Sequence, residues 1–571
     1  MTIARARAGD RYQFRLDEDE YLYPDPESRF QPDGPHGASQ LIDPAAFRWT
    51  DDQWAGADAR RLVIYEMHIG SFTREGTWQS ARTQLPELAS IGITMLEIMP
   101  IAEFSGARGW GYDGVDLFAP SHLYGLPGDA KTFIDEAHRL GIAVILDVVY
   151  NHFGPDGNYL KAFADQYFTA KYENDWGDSI DFSTQPVRDF YLRNAAYWIE
   201  EFHFDGLRLD ATQNIYDYES KEHIIAALTK HVRAVAGKRQ VYVVAENEPQ
   251  QSWTVRPPSQ GGHGLDALWN DDFHHSAVVA MTGRTEAYYT DYRGAPQEFV
   301  SAAKYGYLYQ GQRYKWQKKR RGSPALDLRP WNFVAYLMNH DQVANSARGD
   351  RLNTISNPAL YRAMSALLML APATPMLFQG QEFGATSPFL FFCDHQGELS
   401  HLVAAGRRKF LSQFRSLAQP EMQHELEDPG NENAFQQSKL NFGERITNAP
   451  VYNLYKDLLR LRREDPVFSE PQYRGVDGAV LSSHSFLLRY FSPEHGDRLL
   501  IVNMGRDLAL DPAPEPLLAP PRDHLWRVLW SSEHPTYGGT GTHPPDTKEN
   551  WYVAANSALV LVPDPIEENP K

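Results

Sequence analysis

Four acidic side chains stand at or just beyond the ends of apolar runs. Asp147 closes Ala143-Val-Ile-Leu146, Asp210 closes Gly206-Leu-Arg-Leu209, Glu246 closes Val241-Tyr-Val-Val-Ala245, and Asp341 follows the run 333–340. A carboxylate so placed is costly to bury alone and needs a partner, a ligand or a reaction. Any single one could be an ion pair or a helix cap, but four in phase on one rim point to carboxylate chemistry. Asn151, His152, Arg208 and His340 accompany them. These are hydrogen-bond donors suited to holding carboxylates ionised and gripping hydroxyl groups.

Arg208 lies two residues before Asp210, so on a strand both side chains share a face. A guanidinium there should lower the pKa of Asp210. Glu246 ends an apolar run, where desolvation should raise its pKa.

Elements must converge these residues. Eight apolar runs read as strands, at 62–69, 94–99, 143–150, 206–210, 241–246, 265–269, 333–338 and 374–378. Amphipathic segments such as 129–140 and 187–201 lie between them. The expected fold class is therefore α/β, a (β/α)₈ TIM barrel with its site at the C-terminal ends of the strands. The alternating runs beyond Pro466 predict a C-terminal β-sandwich over 467–571. Residues 1–60 read as a partial N-terminal β-domain and linker, and 61–466 as the barrel, with insertions at 151–185 and 385–450.

Composition excludes several roles. With 55 Lys and Arg against 74 Asp and Glu, the net charge of −19 repels nucleic acid. The dense basic run Arg313-Tyr-Lys-Trp-Gln-Lys-Lys-Arg-Arg321 is expected to be a solvated face or loop. No apolar stretch approaches the ~20 residues that cross a membrane, and no apolar leader segment follows the basic N-terminus. One cysteine, Cys393, fits a reducing, cytoplasmic setting. The 13 Trp and 30 Tyr exceed what core filling alone requires, and flat rings that stack on sugars are one use for them.

The strings Asp147-Val-Val-Tyr-Asn-His152, Gly206-Leu-Arg-Leu-Asp-Ala-Thr212, Val243-Val-Ala-Glu-Asn247 and Asn339-His-Asp341 resemble, in order, the four motif regions of the α-amylase superfamily, glycoside hydrolase family 13. That resemblance implies Asp210 as nucleophile, Glu246 as general acid/base and Asp341 as the third carboxylate, which holds sugar hydroxyls. It places Asp147, His152, Arg208 and His340 around the sugar on the glycone side of the broken bond, with Tyr112 stacking beneath it and Trp110 beside it. Neither a metal nor a cofactor is required.

Tyr65–Thr77, Trp110–Val115, Leu268–His275, Tyr309–Gly311 and Pro388–His395 are similar to the branch that hydrolyses maltooligosyl trehalose at the bond next to its terminal trehalose. The functional partner of such an enzyme is a synthase that makes its substrate. Trp269 and Asp271 then become candidates to read the leaving trehalose. This chain has Ala-Glu-Asn-Glu-Pro249 where close relatives often have Ala-Glu-Asn-Asp. A general α-1,4-glucan hydrolase of the α-amylase type, or a glucan branching enzyme, would use the same three carboxylates. A non-catalytic glucan-binding protein would not need them.

Overall fold

The computed structural model describes residues 5–174, 176–469, 475–546 and 550–566. Residues 1–4 of the N-terminal stretch, and 470–474, 547–549 and 567–571 of the C-terminal unit, lie outside the described residues. The eight apolar runs become strands β1 (Ile64–Met67), β2 (Met95–Ile98), β3 (Ala143–Val148), β4 (Gly206–Leu209), β5 (Tyr242–Ala245), β6 (Ala267–Trp269), β7 (Phe333–Tyr336) and β8 (Thr374–Phe378). All are buried and parallel, and β8 pairs with β1 to close the barrel.

Helices return the chain between strands: α1 (Leu85–Ile91), α2 (Pro127–Arg139), α3 (Gln185–Glu200), α4 (Ile224–Ala236), α5 (Asp271–Thr282), α6 (Pro296–Tyr305), α7 (Pro358–Leu370) and α8 (Ala449–Glu464). After β5 the crossover contains only the short 3₁₀ turns Ser252–Val255 and Pro258–Gln260.

Alternation along the strands builds the site. Ile64, Met95, Ile145, Val244 and Trp269 fill the barrel interior. Two residues further on, Glu66, Glu97 and Asp147 continue the same inward strand face, while Glu246 and Asp271 stand just past the ends of β5 and β6. Gly206 allows β4 to take its place: at φ +144° a Cβ there would lie 1.8 Å from the Tyr242 carbonyl oxygen. That close approach fixes the register that puts Arg208 beside Val244.

Five antiparallel strands form the C-terminal sheet: β9 (Val476–Ser482), β10 (Ser485–Tyr490), β11 (Arg498–Asn503), β12 (His524–Ser531) and β13 (Ser557–Pro565), in the order β9-β10-β11-β13-β12. Phe486, Leu488, Leu500 and Val502 face the barrel helices, where Phe486 stacks on Phe299 at 5.7 Å. Leu487, Leu499, Ile501 and Leu561 pack on the other face with Trp551 and Val553, which belong to a second small sheet formed by Leu508–Leu510 and Trp551–Val553.

At the opposite end of the barrel, His138 is buried between Asp51 (2.8 Å) and Asp205 (2.9 Å) and ties the segment around residue 51 to α2. Among the described residues no helix is long and apolar enough to cross a membrane.

Candidate active site

Arg208 is the centre of the barrel mouth. Its Nη1 donates to Asp210 Oδ1 at 2.6 Å and to both oxygens of Asp147 at 2.9 Å, while Nη2 donates to Glu246 Oε2 at 2.8 Å. The guanidinium is fully buried and lies 4.3 Å over the Trp269 ring. One cation therefore holds three carboxylates from neighbouring strands.

Their environments push them apart. Burial alone would raise the Asp210 pKa. The Arg208 charge, His152 and hydrogen bonds from Asn151 and Arg208 outweigh it and hold the group below the usual carboxylate range. Asn151 Nδ2 reaches Asp210 Oδ2 at 2.7 Å. Glu246 is pushed up to about 8 by burial, against the pull of Arg208 and with the help of the Asp210, Asp341 and Asp271 charges. Its side chain keeps 24 % of its exposure and faces the opening. The hydrogen bonds to Glu246 from Arg208 and from the Ala211 N–H, the latter at 3.3 Å, both reach Oε2. Oε1 is left to carry a proton. Asp147 is raised to about 6, again by burial first.

The fourth carboxylate, Asp341, is the most open, at 41 % exposure, with His340 Nε2 3.6 Å away. His340 Nδ1 pairs with Glu66. Burial lowers the His340 pKa, but Asp341 and Glu66 more than reverse that and bring it to about 9, so the ring is cationic. Tyr112 stacks on His340 at 5.2 Å and donates its hydroxyl to Asp147 Oδ2 at 2.6 Å. His152 Nε2 donates to the Tyr112 carbonyl at 3.0 Å, and the ring stacks on the exposed Trp176 at 4.0 Å. A tyrosine face, an imidazole and three gripped carboxylates make a site for a hydroxyl-rich ring. A cavity of about 990 Å³ beside α3, lined by Tyr12, Trp49 and Tyr197, contains none of these carboxylates.

The alpha amylase catalytic domain pattern matches residues 40–196, and a domain of unknown function (DUF3459) matches 474–547. An alpha-amylase-type protein from Salmonella typhimurium superposes with a TM-score of 0.86 at 33% identity, covering 98% of this chain and 91% of that one. The malto-oligosyltrehalose trehalohydrolase of Deinococcus radiodurans is 41% identical over 87% of this chain and 81% of its own length. That of Saccharolobus solfataricus is 39% identical, over 81% and 79% respectively. This chain belongs to the malto-oligosyltrehalose trehalohydrolase family.

In this trehalohydrolase-family chain several side chains lie elsewhere than the sequence suggested. Trp269 does not reach the mouth: it points into the barrel beneath Arg208, because it follows Ala267 on the inward face. Trp110 is buried behind Tyr112, with Nε1 donating to the Leu390 carbonyl at 2.9 Å and its ring on Phe389, so it braces His340. The segment 388–395 thereby forms a wall, held also by His395 to Asp113 at 3.3 Å. Asp271 does stand at the mouth, held by the Tyr336 hydroxyl.

The basic run is not simply a solvated face. Tyr314 and Arg321 are buried, and Arg321 stands 3.5 Å from Asp271. Glu66 and Glu97 were missed. Each interrupts an apolar strand at an inward position, in the same alternation phase as Asp147, and that alternation is the signal that could have found them.

Proposed function

We propose that this chain is a retaining glycoside hydrolase that cleaves the α-1,4-glucosidic bond next to the terminal trehalose of maltooligosyl trehalose, releasing trehalose and a maltooligosaccharide. The observation that carries the chemistry is the pairing of Asp210 and Glu246 on one guanidinium, in surroundings that hold the first as an anion and favour a proton on the second. At neutral pH the first is ionised and the second protonated, as a double-displacement mechanism needs.

Asp210 attacks the anomeric carbon of the glucose beside the broken bond. Glu246 gives its proton to the departing oxygen of trehalose. The resulting glucosyl ester on Asp210 is opened by water, whose proton passes to Glu246, and the α configuration is restored. Arg208 orients both acids, His340 and Asp341 hold hydroxyls of the distorted ring, and Tyr112 supports its face. Asp147 fixes Tyr112 and Arg208 in place.

The substrate choice rests on the trehalohydrolase relatives. A branching enzyme of Corynebacterium jeikeium is 28% identical over 68% of this chain and 56% of its own length, which favours hydrolysis over transfer to a sugar. A synthase that builds trehalose ends on linear glucan supplies the substrate, with both enzymes in the cytoplasm.

The test is incubation with maltotriosyl trehalose beside maltopentaose and amylose, followed by chromatography of the products. Free trehalose from the first, with little attack on the others, is expected. Equal attack on linear glucans would establish an amylase instead, and new α-1,6 branches a branching enzyme.

A further inference from the structure

Glu66 and Glu97 stand at the floor of the site and take no part in bond making. They are Cα partners across β1 and β2, one strand spacing of about 4.8 Å apart, and both point into the barrel at 1 % exposure. Two carboxyl groups so placed do not both ionise, and one proton between them is the least costly arrangement.

Their partners decide where that proton sits. Glu66 receives two donors from one residue: the His340 backbone N–H reaches Oε2 at 3.0 Å and His340 Nδ1 reaches Oε1. A proton on either oxygen would meet an N–H, so the geometry favours the anion. Glu97 receives none, both of its oxygens being buried without a partner among the described residues. Ionised, it would be a bare buried charge. The groups facing it are Glu66 on β1, Asp147 on β3, Arg208 on β4, Tyr242 on β5 and His340 after β7. Burial first, then the Glu66 charge, drives the Glu97 pKa well above the carboxylate range, against the pull of Arg208 and His340.

Glu66 in turn fixes His340. With Nδ1 engaged from below, Nε2 is the free end of the ring and stands 3.6 Å from Asp341, at the opening. Tyr112 stacks on the imidazole at 5.2 Å and Trp110 meets it edge-on at 5.2 Å, which sets its plane. Arg208 and His68 are its other titratable neighbours, and burial keeps His68 neutral. An imidazolium aimed in this way gives a sugar hydroxyl a charge-assisted hydrogen bond, stronger than a neutral ring can offer.

Building on the reading of the chain as a retaining hydrolase, we infer that Glu66 is a positioning residue for it: its carboxylate aims His340 Nε2–H at a hydroxyl of the sugar on the glycone side and keeps that ring an imidazolium, while Glu97 stays a neutral acid and so leaves the charge on Glu66.

The experiment uses the full chain with ¹⁵N-labelled histidine, and its Glu66→Gln and Glu97→Gln variants. The ring-nitrogen signals of His340, identified by their loss in His340→Gln, should be those of an imidazolium at pH 7 in the wild type. In Glu66→Gln the ring should titrate about 1–3 pH units lower. Activity needs the charged ring, so kcat/KM of Glu66→Gln should fall at least ~10-fold on maltotriosyl trehalose and on α-maltosyl fluoride alike, which share the glycone side. Its alkaline limb should move toward acid. In infrared difference spectra at pH 7, Glu97→Gln should lose a carboxylic-acid C=O band and no carboxylate band. That band and the wild-type His340 signals keep the test valid if Glu66→Gln does not fold. A neutral His340 ring in the wild type, an unmoved alkaline limb in Glu66→Gln, or loss of a carboxylate band in Glu97→Gln would overturn the inference. A wild-type chain that hydrolyses neither substrate, with both spectra as expected, would instead overturn the reading it rests on.

Discussion

Arg208 Nη1 stands 2.6 Å from Asp210 Oδ1, the two side chains being two residues apart on one strand face. The other end of that guanidinium meets Glu246. Planarity lets a single cation serve both acids, but the acids respond differently. Asp210 also receives Asn151 and is stabilised as the anion. Glu246 lies among Asp210, Asp341 and Asp271, and their charges favour its proton.

Arg208→Lys keeps the charge and loses the fork. The expected result is a fall in kcat/KM of at least ~100-fold, with Asp210 less well held as an anion. Its pKa therefore rises, and the acid limb of the kcat/KM profile moves to higher pH. An unmoved acid limb would show that Arg208 does not tune Asp210. Removing the guanidinium altogether, in Arg208→Met, leaves buried carboxylates unpaired and should cost about 3–5 kcal/mol in denaturant unfolding.

Glu246→Gln cannot donate a proton. Hydrolysis of maltotriosyl trehalose should drop by roughly 10²–10⁴-fold, whereas a substrate with a leaving group that needs no protonation, such as α-maltosyl fluoride, should still form the maltosyl enzyme. Near-normal activity of this variant on natural glucans would remove Glu246 from its role.

The free-enzyme profile should be bell-shaped, with an alkaline limb near the Glu246 value of about 8, because activity is lost as the proton donor ionises. Asp271 is charged at that pH, its own pKa being about 6, and its negative charge helps keep the Glu246 proton. Asp271→Asn should therefore lower the Glu246 pKa and move the alkaline limb of kcat/KM toward acid by less than about one unit. A shift in the alkaline direction would contradict the electrostatics.

The His138 clamp should show in stability. Burial opposes the His138 charge, but Asp205 and Asp51 outweigh it and raise the folded pKa above the ordinary value. Its contribution is complete below the unfolded value of about 6.5 and is lost as pH rises through the folded one. Asp51 is opposed by burial too, yet His138 and His203 depress its pKa, so its share is present above about 3.9 and lost on acidification. The loss of thermal stability in His138→Gln should be largest between roughly pH 4 and 6.5 and shrink at alkaline pH. A difference that grows with pH would contradict this.

Strand periodicity explains how much was legible in the sequence. Apolar runs ending in carboxylates revealed the barrel strands and converged Asp147, Asp210 and Glu246, because a parallel barrel places all strand ends on one rim. Glu66 and Glu97 obey the same alternation but interrupt their runs, and a search confined to strand ends passes over them. Trp269 reads as a mouth residue from its place at the end of an apolar run, but its inward phase, shared with Ala267, puts it inside the barrel. Arg321 was hidden for another reason: its partner Asp271 is 50 residues away, and only the glycine-dependent reversal at Gly322 brings them together.

The most direct test of the double-displacement mechanism is peptide mapping of Glu246→Gln after brief reaction with α-maltosyl fluoride. In this variant the ester forms without acid help and opens slowly, so a maltosyl mass should appear on the peptide containing Asp210. Attachment to a peptide carrying Asp147 or Asp341 instead, or a maltose product released first as the β-anomer, would contradict it.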